Sequence, residues 1–277
     1  MIESIVYGFT IGGILYFFSI GLSLTFGTMK IINFAHGMVY TLGVYFFITF
    51  LPRINNIFPF AAFLAILAVI PIAYVIERFV VRRLYGESLD YAIIATYALL
   101  LIGTDIIKWI WGVVPQQVID PIGISVRLFG IGISLYRIAI VVSALVLFFA
   151  LNLFFRKTII GKIVVAALED NEGVRCLGLN VNRYFSIVFV LGSSLAVLGG
   201  VLYAPISAAD PYMGVDILLI AFAVVIVGGM GNLTGTFISA FALGMVIALT
   251  GFYWSQAADT MVFAVMAGVL IFRREEA

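Results

Sequence analysis

Asn33, His36 and Gly37 stand close together in the apolar stretch INFAHGMVY. Asn33 and His36 are spaced i, i+3, so both side chains can lie on one helix face, and Gly37 lets a neighbouring backbone approach closely. Polar groups at membrane depth are costly without partners. The stretch therefore predicts either hydrogen bonds to neighbouring helices or a lining for a permeation path. A metal site is not expected, because a single histidine offers too few ligands.

A second candidate is the glycine-rich run VGGMGNLTGTF, which contains Gly228, Gly229, Gly231 and Asn232. It is not a phosphate-binding loop, because no G-K-[ST] follows, and the Gly-Lys pair at 161–162 is followed by isoleucine. The sequence therefore predicts no nucleotide site of this kind. The run can form a helix break or tight turn that allows close packing, or it can contact a transported substrate directly.

The third candidate is the polar segment 156–183, which is too polar to cross a membrane. A short amphipathic helix ended by Gly173 or Gly178 is expected there. Its acidic residues would suit docking to a partner protein, although a solvated loop with ordinary charges is the alternative. The candidate residues of this segment are Ala166, Glu169, Asp170, Gly173, Leu177 and Gly178.

Three carboxylates, those of Asp105, Asp216 and Asp259, stand in or near apolar segments. A proton relay would need such groups inside a helix bundle. A position at a helix end or a charge partner explains them more simply, and Asp105 has Lys108 at i, i+3. The sequence therefore favours a structural function for these acids over proton coupling.

The elements that must position these residues are membrane helices. Of the 277 residues, 64% are hydrophobic and 10% are charged, and the mean hydropathy is +1.22. Soluble domains carry about 25% charged residues. The segments are apolar on all faces, which excludes the alternation of a β-barrel. The single cysteine, Cys176, excludes an intramolecular disulfide. The first segment lacks a basic start and is read as a retained helix.

These patterns predict an all-α, polytopic transmembrane bundle that forms one permease-like domain over residues 1–277. Eight or nine apolar segments are expected, and the second and seventh are interrupted by polar or glycine-rich stretches, so they can be broken or re-entrant. The predicted segments are 5–27, 31–51, 60–76, 91–113, 136–155, 184–204, 217–229, 236–253 and 257–272.

The positive residues predict the orientation. If the segment 156–183 is cytoplasmic, alternate crossing places eleven basic residues inside and three outside. The predicted inside group is Lys30, Arg78, Arg82, Arg83, Arg156, Lys157, Lys162, Arg175, Arg183, Arg273 and Arg274, and the outside group is Arg53, Arg127 and Arg137. The N-terminus is then outside, the C-terminus is inside, and the number of crossings is odd.

Three stretches together resemble the membrane permease subunits of ATP-binding-cassette importers for branched-chain amino acids. The stretch Ile32 to Gly37 reads I-N-F-A-H-G, as in one subunit type of that family. The polar segment resembles the family's A-x-x-E-D…L-G-x-N coupling loop, and the later run resembles its GGMG…G pattern, although 233–234 is Leu-Thr where a proline is frequent. The resemblance covers nearly the whole chain, with the motifs in the same order.

The resemblance implies a multi-pass protein of a prokaryotic cytoplasmic membrane, surrounded by lipid, that carries leucine, isoleucine or valine. It implies as partners a second homologous permease, two cytoplasmic ATPases and an extracytoplasmic substrate-binding protein, with no nucleic acid and no cofactor. The segment 156–183 would then dock the ATPase, and the Asn/His/Gly cluster would shape the translocation path together with the glycine run.

Three alternatives stay open. Permeases for urea or short amides carry a similar N-x-A-H-G stretch, and Phe34 in place of a methionine favours amino acids. An ATP-independent carrier or channel would need no docking segment. An intramembrane enzyme would need a nucleophile with a base, and Ser193 and Ser194 have no assignable partner in the sequence.

Overall fold

The computed structural model describes residues 2–128 and 131–274. Its elements are α1 Ile2–Met29, α2 Ala35–Phe50, α3 Phe58–Phe79, α4 Leu89–Trp111, β1 Ser125–Leu128, β2 Ile131–Ser134, α5 Leu135–Lys157, α6 Ile159–Glu169, α7 Asn171–Cys176, α8 Val181–Tyr203, α9 Met213–Gly228, α10 Leu233–Tyr253 and α11 Ala258–Arg274. Short 3-10 turns occur at Leu51–Ile54, Val81–Leu84 and Ser255–Ala257. The all-α class is confirmed, with one small antiparallel hairpin, β1–β2, before α5.

Within the described ranges, eight helical segments are long and apolar enough to cross a membrane. The seventh predicted segment, 217–229, forms α9, which has only 16 residues. Most helix bounds lie within three residues of the predicted ones. The starts of the second and seventh segments are each four residues off, because α2 begins at Ala35 and not at 31, and α9 begins at Met213 and not at 217.

Neighbouring helices run in alternating directions between two ends of the bundle. Ser23, near the end of α1, contacts Thr236 at the start of α10, so the two helices are antiparallel. We call the end where α1 finishes the basic end. The basic residues grouped there are Lys30, Arg78, Arg82, Arg83, Arg156, Lys157, Lys162, Arg175 and Arg183. At the opposite end, the Arg137 guanidinium lies 5.5 Å from the centre of the Tyr7 ring. Which end faces the cytoplasm stays a prediction.

Helix α1 forms the centre of the bundle and packs against α5, α8, α9 and α10. Glycines permit its closest contacts. A Cβ added at Gly244 in α10 would lie 2.6 Å from Cα of Gly12, and one added at Gly21 would lie 2.5 Å from the carbonyl oxygen of Gly192 in α8. Lipid gives apolar helices no reason to associate, so close packing of this kind supplies much of the cohesion.

The outer faces of α3 and α5 carry large exposed apolar side chains. Such faces suit contact with lipid chains, which are as apolar as the side chains themselves. These residues are Phe60, Phe63, Leu67, Tyr74, Val142, Val146, Phe149 and Leu153.

The connection between α4 and α5 is organised by Asp120. Its carboxylate accepts hydrogen bonds from the backbone N–H groups of Ile122 and Gly123, at 2.9 and 3.1 Å, and from the Ser134 hydroxyl at 2.9 Å. Partial burial alone raises the pKa of Asp120, but these three bonds outweigh it and hold the pKa below its ordinary value. The hairpin is therefore fixed to the start of α5.

Candidate functional site

Helix α2 begins inside the bundle. After Met29 the chain turns at Lys30, whose φ is 54°, and it stays non-helical until Phe34. Nε2 of His36 lies 3.1 Å from the carbonyl oxygen of Phe18. Phe18 precedes the end of α1 by eleven residues, or roughly 16 Å at 1.5 Å per residue. Since a bilayer core is about 30 Å thick, the first turn of α2 lies near the middle of the bundle.

Thr96 of α4 holds the non-helical segment in place. Its hydroxyl oxygen accepts a hydrogen bond from the Phe34 N–H at 3.1 Å and lies 3.1 Å from the Ile32 carbonyl oxygen. Irregular backbone at membrane depth is tolerated only where its polar groups are satisfied or line a cavity. Thr96 therefore stabilises the helix break. No local pattern in the sequence indicates this contact, because the two residues are 62 positions apart.

Several buried polar atoms near this break find no hydrogen-bond partner among the described residues. They include both side-chain amide atoms of Asn33, Nδ1 of His36 and the Tyr40 hydroxyl, in side chains at most 2% exposed. A carbonyl oxygen only accepts, so the His36 hydrogen lies on Nε2 and its Nδ1 is a free acceptor. Unsatisfied buried polar groups are costly. These atoms are therefore candidate contacts for water or a polar substrate.

His36 and Tyr40 share one neighbour. Both rings pack edge-on to Phe18, with centroid distances of 4.8 and 5.1 Å. The hydroxyls of Ser19 and Ser193 are also buried without a partner in the described part of the chain. Ser193 follows Gly192, which packs against Gly21 beside the His36 ring. Ser193 has no assignable partner in the sequence, and Ser19 was not singled out, because an apolar context hides such a residue. Tyr40 was noted only as part of the resemblance.

Helices α2 and α9 cross at their first turns. A Cβ added at Gly37 would lie 2.5 Å from the carbonyl oxygen of Gly214. Gly214 is the second residue of α9, which follows a connection containing the buried Ala204 and Ala209. Two short helices thus begin side by side within the bundle. The close approach predicted for Gly37 is present, whereas its partner Gly214 was not singled out in the sequence.

An aromatic cluster lies at the surface of the subunit beside the start of α2. The Phe34 ring lies 5.7 Å from that of Tyr97 in α4 and 5.2 Å from that of Phe222 in α9. Tyr97 is 45% exposed, and Phe34 and Phe222 are half-buried. The cluster therefore joins α4 and α9 across the start of α2, at a surface of the subunit.

The structure places the glycine run in a tight turn between α9 and α10. Gly229 and Gly231 have φ values of 88° and 77°, which favour glycine. Oδ1 of Asn232 caps α10 by accepting from the Gly235 N–H at 3.0 Å, and Gly228 packs directly against Gly235. The interpretation as a helix break with close packing is therefore confirmed for this run.

The turn is on a different side of α1 from His36. The Gly231 N–H donates to the Ser23 hydroxyl at 3.0 Å, whereas His36 contacts Gly21. Two residues along a helix differ by roughly 200° in direction. The structure therefore does not bring Gly228, Gly229, Gly231 and Asn232 together with Asn33 and His36. Direct contact of this run with a substrate stays a prediction.

A cavity of about 820 Å³ opens at the basic end. It lies between the end of α1, the start of α4 and the helices α7 and α8. Its lining includes Ile31, two residues before Asn33, so it approaches the helix break from the basic end. The polar and charged lining residues are Thr28, Lys30, Tyr85, Glu87, Glu172 and Arg175.

Beside this cavity, a buried ion pair joins α3 to α8. Glu77 is fully buried and accepts two hydrogen bonds from the Arg82 guanidinium, at 3.1 and 2.9 Å, and one from the Tyr85 hydroxyl at 2.8 Å. Arg82 also donates to the hydroxyl of Ser186 in α8. The contact fixes the turn that follows α3 to the start of α8, close to the polar segment.

Replacing Glu77 by glutamine is expected to lower the free energy of unfolding by about 3 kcal/mol. This is the lower end of the range for breaking a buried ion pair, because the Arg82 side chain is 20% exposed. Unfolding by SDS in mixed micelles measures the change. The matched control is Arg83→Gln at an exposed position, expected to change stability by at most about 0.5 kcal/mol. Equal losses in both variants would contradict the function assigned to the pair.

The polar segment forms two short helices, α6 and α7, at the basic end. The predicted single helix ended by Gly173 or Gly178 is wrong, because the chain breaks at Asp170. Oδ1 of Asp170 accepts from the Gly173 N–H at 2.8 Å and so begins α7. Gly178, with φ 77°, follows the end of α7. A cap at Asp170 thus determines the boundary that glycine was expected to set.

The candidate docking residues are largely on the surface. Ala166, Asp170 and Gly178 are exposed, Leu177 is 78% exposed, and Gly173 is half-buried. The Glu169 side chain lies outside the described side chains. Buried Val164, Ala167 and Val174 hold α6 and α7 on the bundle. The exposed surface of the segment is therefore mixed, with Ile159, Val165 and Leu177 exposed beside its polar side chains.

Metal binding has no candidate in the described ranges, where no three His, Cys, Asp or Glu side chains come together. The α2 break, the cavity at the basic end and the polar helices are candidate functional features of the described ranges.

Known proteins resemble the chain over nearly its whole length. The family described as branched-chain amino acid transport system, permease component, matches residues 4–272. The high-affinity branched-chain amino acid transport system permease protein BraD of Pseudomonas aeruginosa is 29% identical, over 98% of this chain and 94% of the relative.

Two further relatives come from a second bacterium and from Methanocaldococcus jannaschii. The permease protein LivH of Escherichia coli, of the same high-affinity system type, is 26% identical over 98% of this chain and 92% of the relative. The probable branched-chain amino acid transport permease protein LivH of Methanocaldococcus jannaschii is 27% identical over 89% of this chain and 80% of the relative. No solved structure matches the chain.

Proposed function

Since the chain belongs to the family of branched-chain amino acid transport system permease components, we propose that it is the membrane subunit of an ATP-driven importer of leucine, isoleucine and valine. The observation that carries the proposal is the family match over residues 4–272. The names of the relatives from Pseudomonas aeruginosa and Escherichia coli support the substrate class.

The proposed complex contains a second homologous permease, two cytoplasmic ATPases and an extracytoplasmic binding protein. The sequence has no G-K-[ST] phosphate loop, so ATP hydrolysis belongs to a separate subunit. The complex lies in the cytoplasmic membrane of a prokaryote, with the basic end inside, because positive residues favour the cytoplasmic side. The N-terminus is then outside and the C-terminus inside.

Helices α6 and α7 are the docking site for the ATPase. The exposed Asp170 and Leu177 flank α7 at the basic end, and the two helices pack on α1, α5 and α8. Movement of α7 reaches α8 directly, because only residues 177–180 separate them. The Glu77–Arg82–Ser186 contact then connects α8 with α3. ATP shifts the conformation only as far as it binds one state better than the other.

The substrate path passes the start of α2. An amino acid is a zwitterion with an apolar side chain, so its path needs polar partners that do not hold it tightly. Broken helices supply such partners in transporters. Asn33, His36 and Tyr40 offer unpaired polar atoms there, counted over the described residues, and the cavity at the basic end leads from Ile31 towards the cytoplasm.

His36→Ala is expected to reduce leucine uptake by about tenfold, since one hydrogen bond of about 1.5 kcal/mol in the path is lost. The amount of assembled complex should change by at most about twofold. Uptake into proteoliposomes and size-exclusion chromatography measure the two quantities. Ser194→Ala is the control, because among the described residues its hydroxyl bonds to the Val190 carbonyl of its own helix and to nothing else. If His36→Ala lowers the amount of assembled complex while uptake per assembled complex stays at the wild-type level, His36 only packs between helices.

The experiment that tests the proposed function is uptake by cells in which this permease is the only route. Labelled leucine should accumulate, an excess of valine should compete and an excess of urea should not. ATP depletion with a maintained proton gradient should stop uptake. Accumulation of urea instead would assign the chain to a urea or amide importer, and uptake that survives ATP depletion would indicate a carrier or channel.

A further inference from the structure

An ion pair lies on the exposed face of α4 at membrane depth. The Asp105 carboxylate is 73% exposed and pairs with the Lys108 ammonium, which is 25% exposed. Asp105 precedes Trp111, the last residue of α4, by six residues, or roughly 9 Å along the axis. Trp109 and Trp111 are typical of the membrane–water interface, so Asp105 lies more than one turn below that level.

A charged side chain in the hydrocarbon is costly and is found facing a bundle interior or an aqueous cavity. Asp105 is on the same face of α4 as Tyr97 and Leu101, at i, i+4 spacing, and all three are exposed in the single subunit. A carboxylate at this level favours a groove or an aqueous path beside this face of α4 over contact with lipid chains.

The face belongs to a groove with α4 and α9 as walls and α2 as its floor. Helix α2 packs against both walls. Near the end of α4, Nζ of Lys108 lies 3.2 Å from the Tyr212 hydroxyl and 5.1 Å from the centre of the Tyr212 ring. Tyr212 immediately precedes α9. Lys108 and Tyr212 thus connect the two walls at the mouth of the groove.

The groove is connected a second time at the start of α2, by Phe34 with Tyr97 and Phe222. Tyr97 and Lys108 are eleven residues apart on α4, and Tyr212 and Phe222 are ten apart at α9. Both spacings correspond to roughly 15 Å. The groove between the charged contact and the aromatic contact beside the helix break is therefore long enough for one amino acid.

We propose that Asp105, Lys108 and Tyr212 form a recognition site for the zwitterionic group of the transported amino acid. The substrate carboxylate binds the Lys108 ammonium and the Tyr212 hydroxyl, and the substrate ammonium binds the Asp105 carboxylate. The apolar side chain of the substrate lies against Leu101, on the way to the aromatic cluster. This inference rests on the proposed function and names the residues that bind the substrate's ammonium and carboxylate groups.

When no substrate is present, Asp105 and Lys108 form an ion pair with each other. Asp105 and Lys108 neutralise each other, so the pair carries no net charge that would hold an inorganic ion. A zwitterion exchanges one ion pair for two, whereas urea carries no charge to exchange. The arrangement therefore favours amino acids over neutral amides without binding them strongly.

The test uses the reconstituted complete complex with saturating leucine-loaded binding protein, so that recognition by the binding protein is not limiting. Lys108→Met and Asp105→Asn should each lower ATP-driven leucine uptake by at least about tenfold, since a charge-assisted hydrogen bond contributes about 1.5–3 kcal/mol. Asp90→Asn, at an exposed position in the first turn of the same helix, is the control and should stay within about twofold.

The double variant Asp105→Lys with Lys108→Asp separates recognition from stability. It restores an ion pair of opposite order, so the melting temperature should match that of the wild-type complex while uptake stays at least about tenfold lower. Uptake restored by the exchange would overturn the proposal, because the pair would then only stabilise α4. Single variants that transport at the wild-type rate would overturn it as well.

The uptake of the wild-type complex distinguishes a failure of the proposed function from a failure of the recognition site. If the wild-type complex does not transport leucine at all, the proposed function is wrong, and the recognition site is wrong with it. If the wild-type complex transports leucine and the charge variants do so equally well, only the recognition site is wrong. ATPase activity stimulated by the binding protein, measured in the same samples, shows that the variant complexes are assembled.

Discussion

Gly37→Val is expected to lower leucine uptake by about 100-fold, which is the cost of displacing a functional group by roughly 1 Å. A Cβ at this position would lie 2.5 Å from the Gly214 carbonyl oxygen, which is backbone and cannot rotate away. The first turns of α2 and α9 would have to separate, and the polar atoms of Asn33 and His36 would move with α2. Uptake into proteoliposomes measures the loss.

Two further variants control this result. Gly214→Val should have the same effect, because the contact is reciprocal. Gly268→Val in α11 changes a glycine whose added Cβ would meet nothing within 4 Å, and it should keep uptake within about twofold. Wild-type uptake by Gly37→Val would contradict the close crossing of α2 and α9.

Leu177→Asp is expected to weaken binding of the ATPase by about 30-fold, since a central apolar contact of an interface contributes about 2 kcal/mol. Leu177 is 78% exposed at the basic end, so the substitution should leave the permease stable. Pull-down titration of the ATPase against detergent-solubilised permease measures the affinity. The matched control is Ile119→Asp, an equally exposed apolar residue in the connection between α4 and α5.

A variant that tests the charge of Asp170 in ATPase docking has to keep the cap that Asp170 provides for α7. Replacing Glu169 and Asp170 by alanine removes the acidic pair, but it also removes the cap of α7 at Gly173, which costs about 1 kcal/mol. Asp170→Asn keeps the cap and removes only the charge. Unchanged ATPase affinity in both Asp170→Asn and Leu177→Asp would contradict the docking surface on α6 and α7.

The helices were predictable because their signal is local. Long apolar runs bounded by charges defined nearly every segment, and alternation of direction followed from the basic residues. An interruption of the second segment was predictable, but its position was not, because residues 31–34 are mostly apolar and include no glycine or proline. A hydrogen bond from the Phe34 N–H to Thr96, 62 residues away, decides that the helix begins at Ala35.

The candidate site was predictable only in part for the same reason. Asn33 and His36 are conspicuous as polar residues in an apolar stretch. Gly214, Phe222 and Tyr212 are ordinary in the sequence, and they gain significance from contacts with α2 and α4. The glycine run was the opposite case, because it is conspicuous in the sequence and forms a turn on another side of α1 from His36.

The central claim is that the chain works as one subunit of an ATPase-driven complex. The most direct measurement is gentle extraction from the native membrane, pull-down of the tagged protein and identification of the retained proteins by mass spectrometry. We expect the tagged protein to retain an ATPase and a second permease of the same family together. Recovery of the chain alone, or as a homo-oligomer that moves leucine in proteoliposomes without ATP, would contradict it.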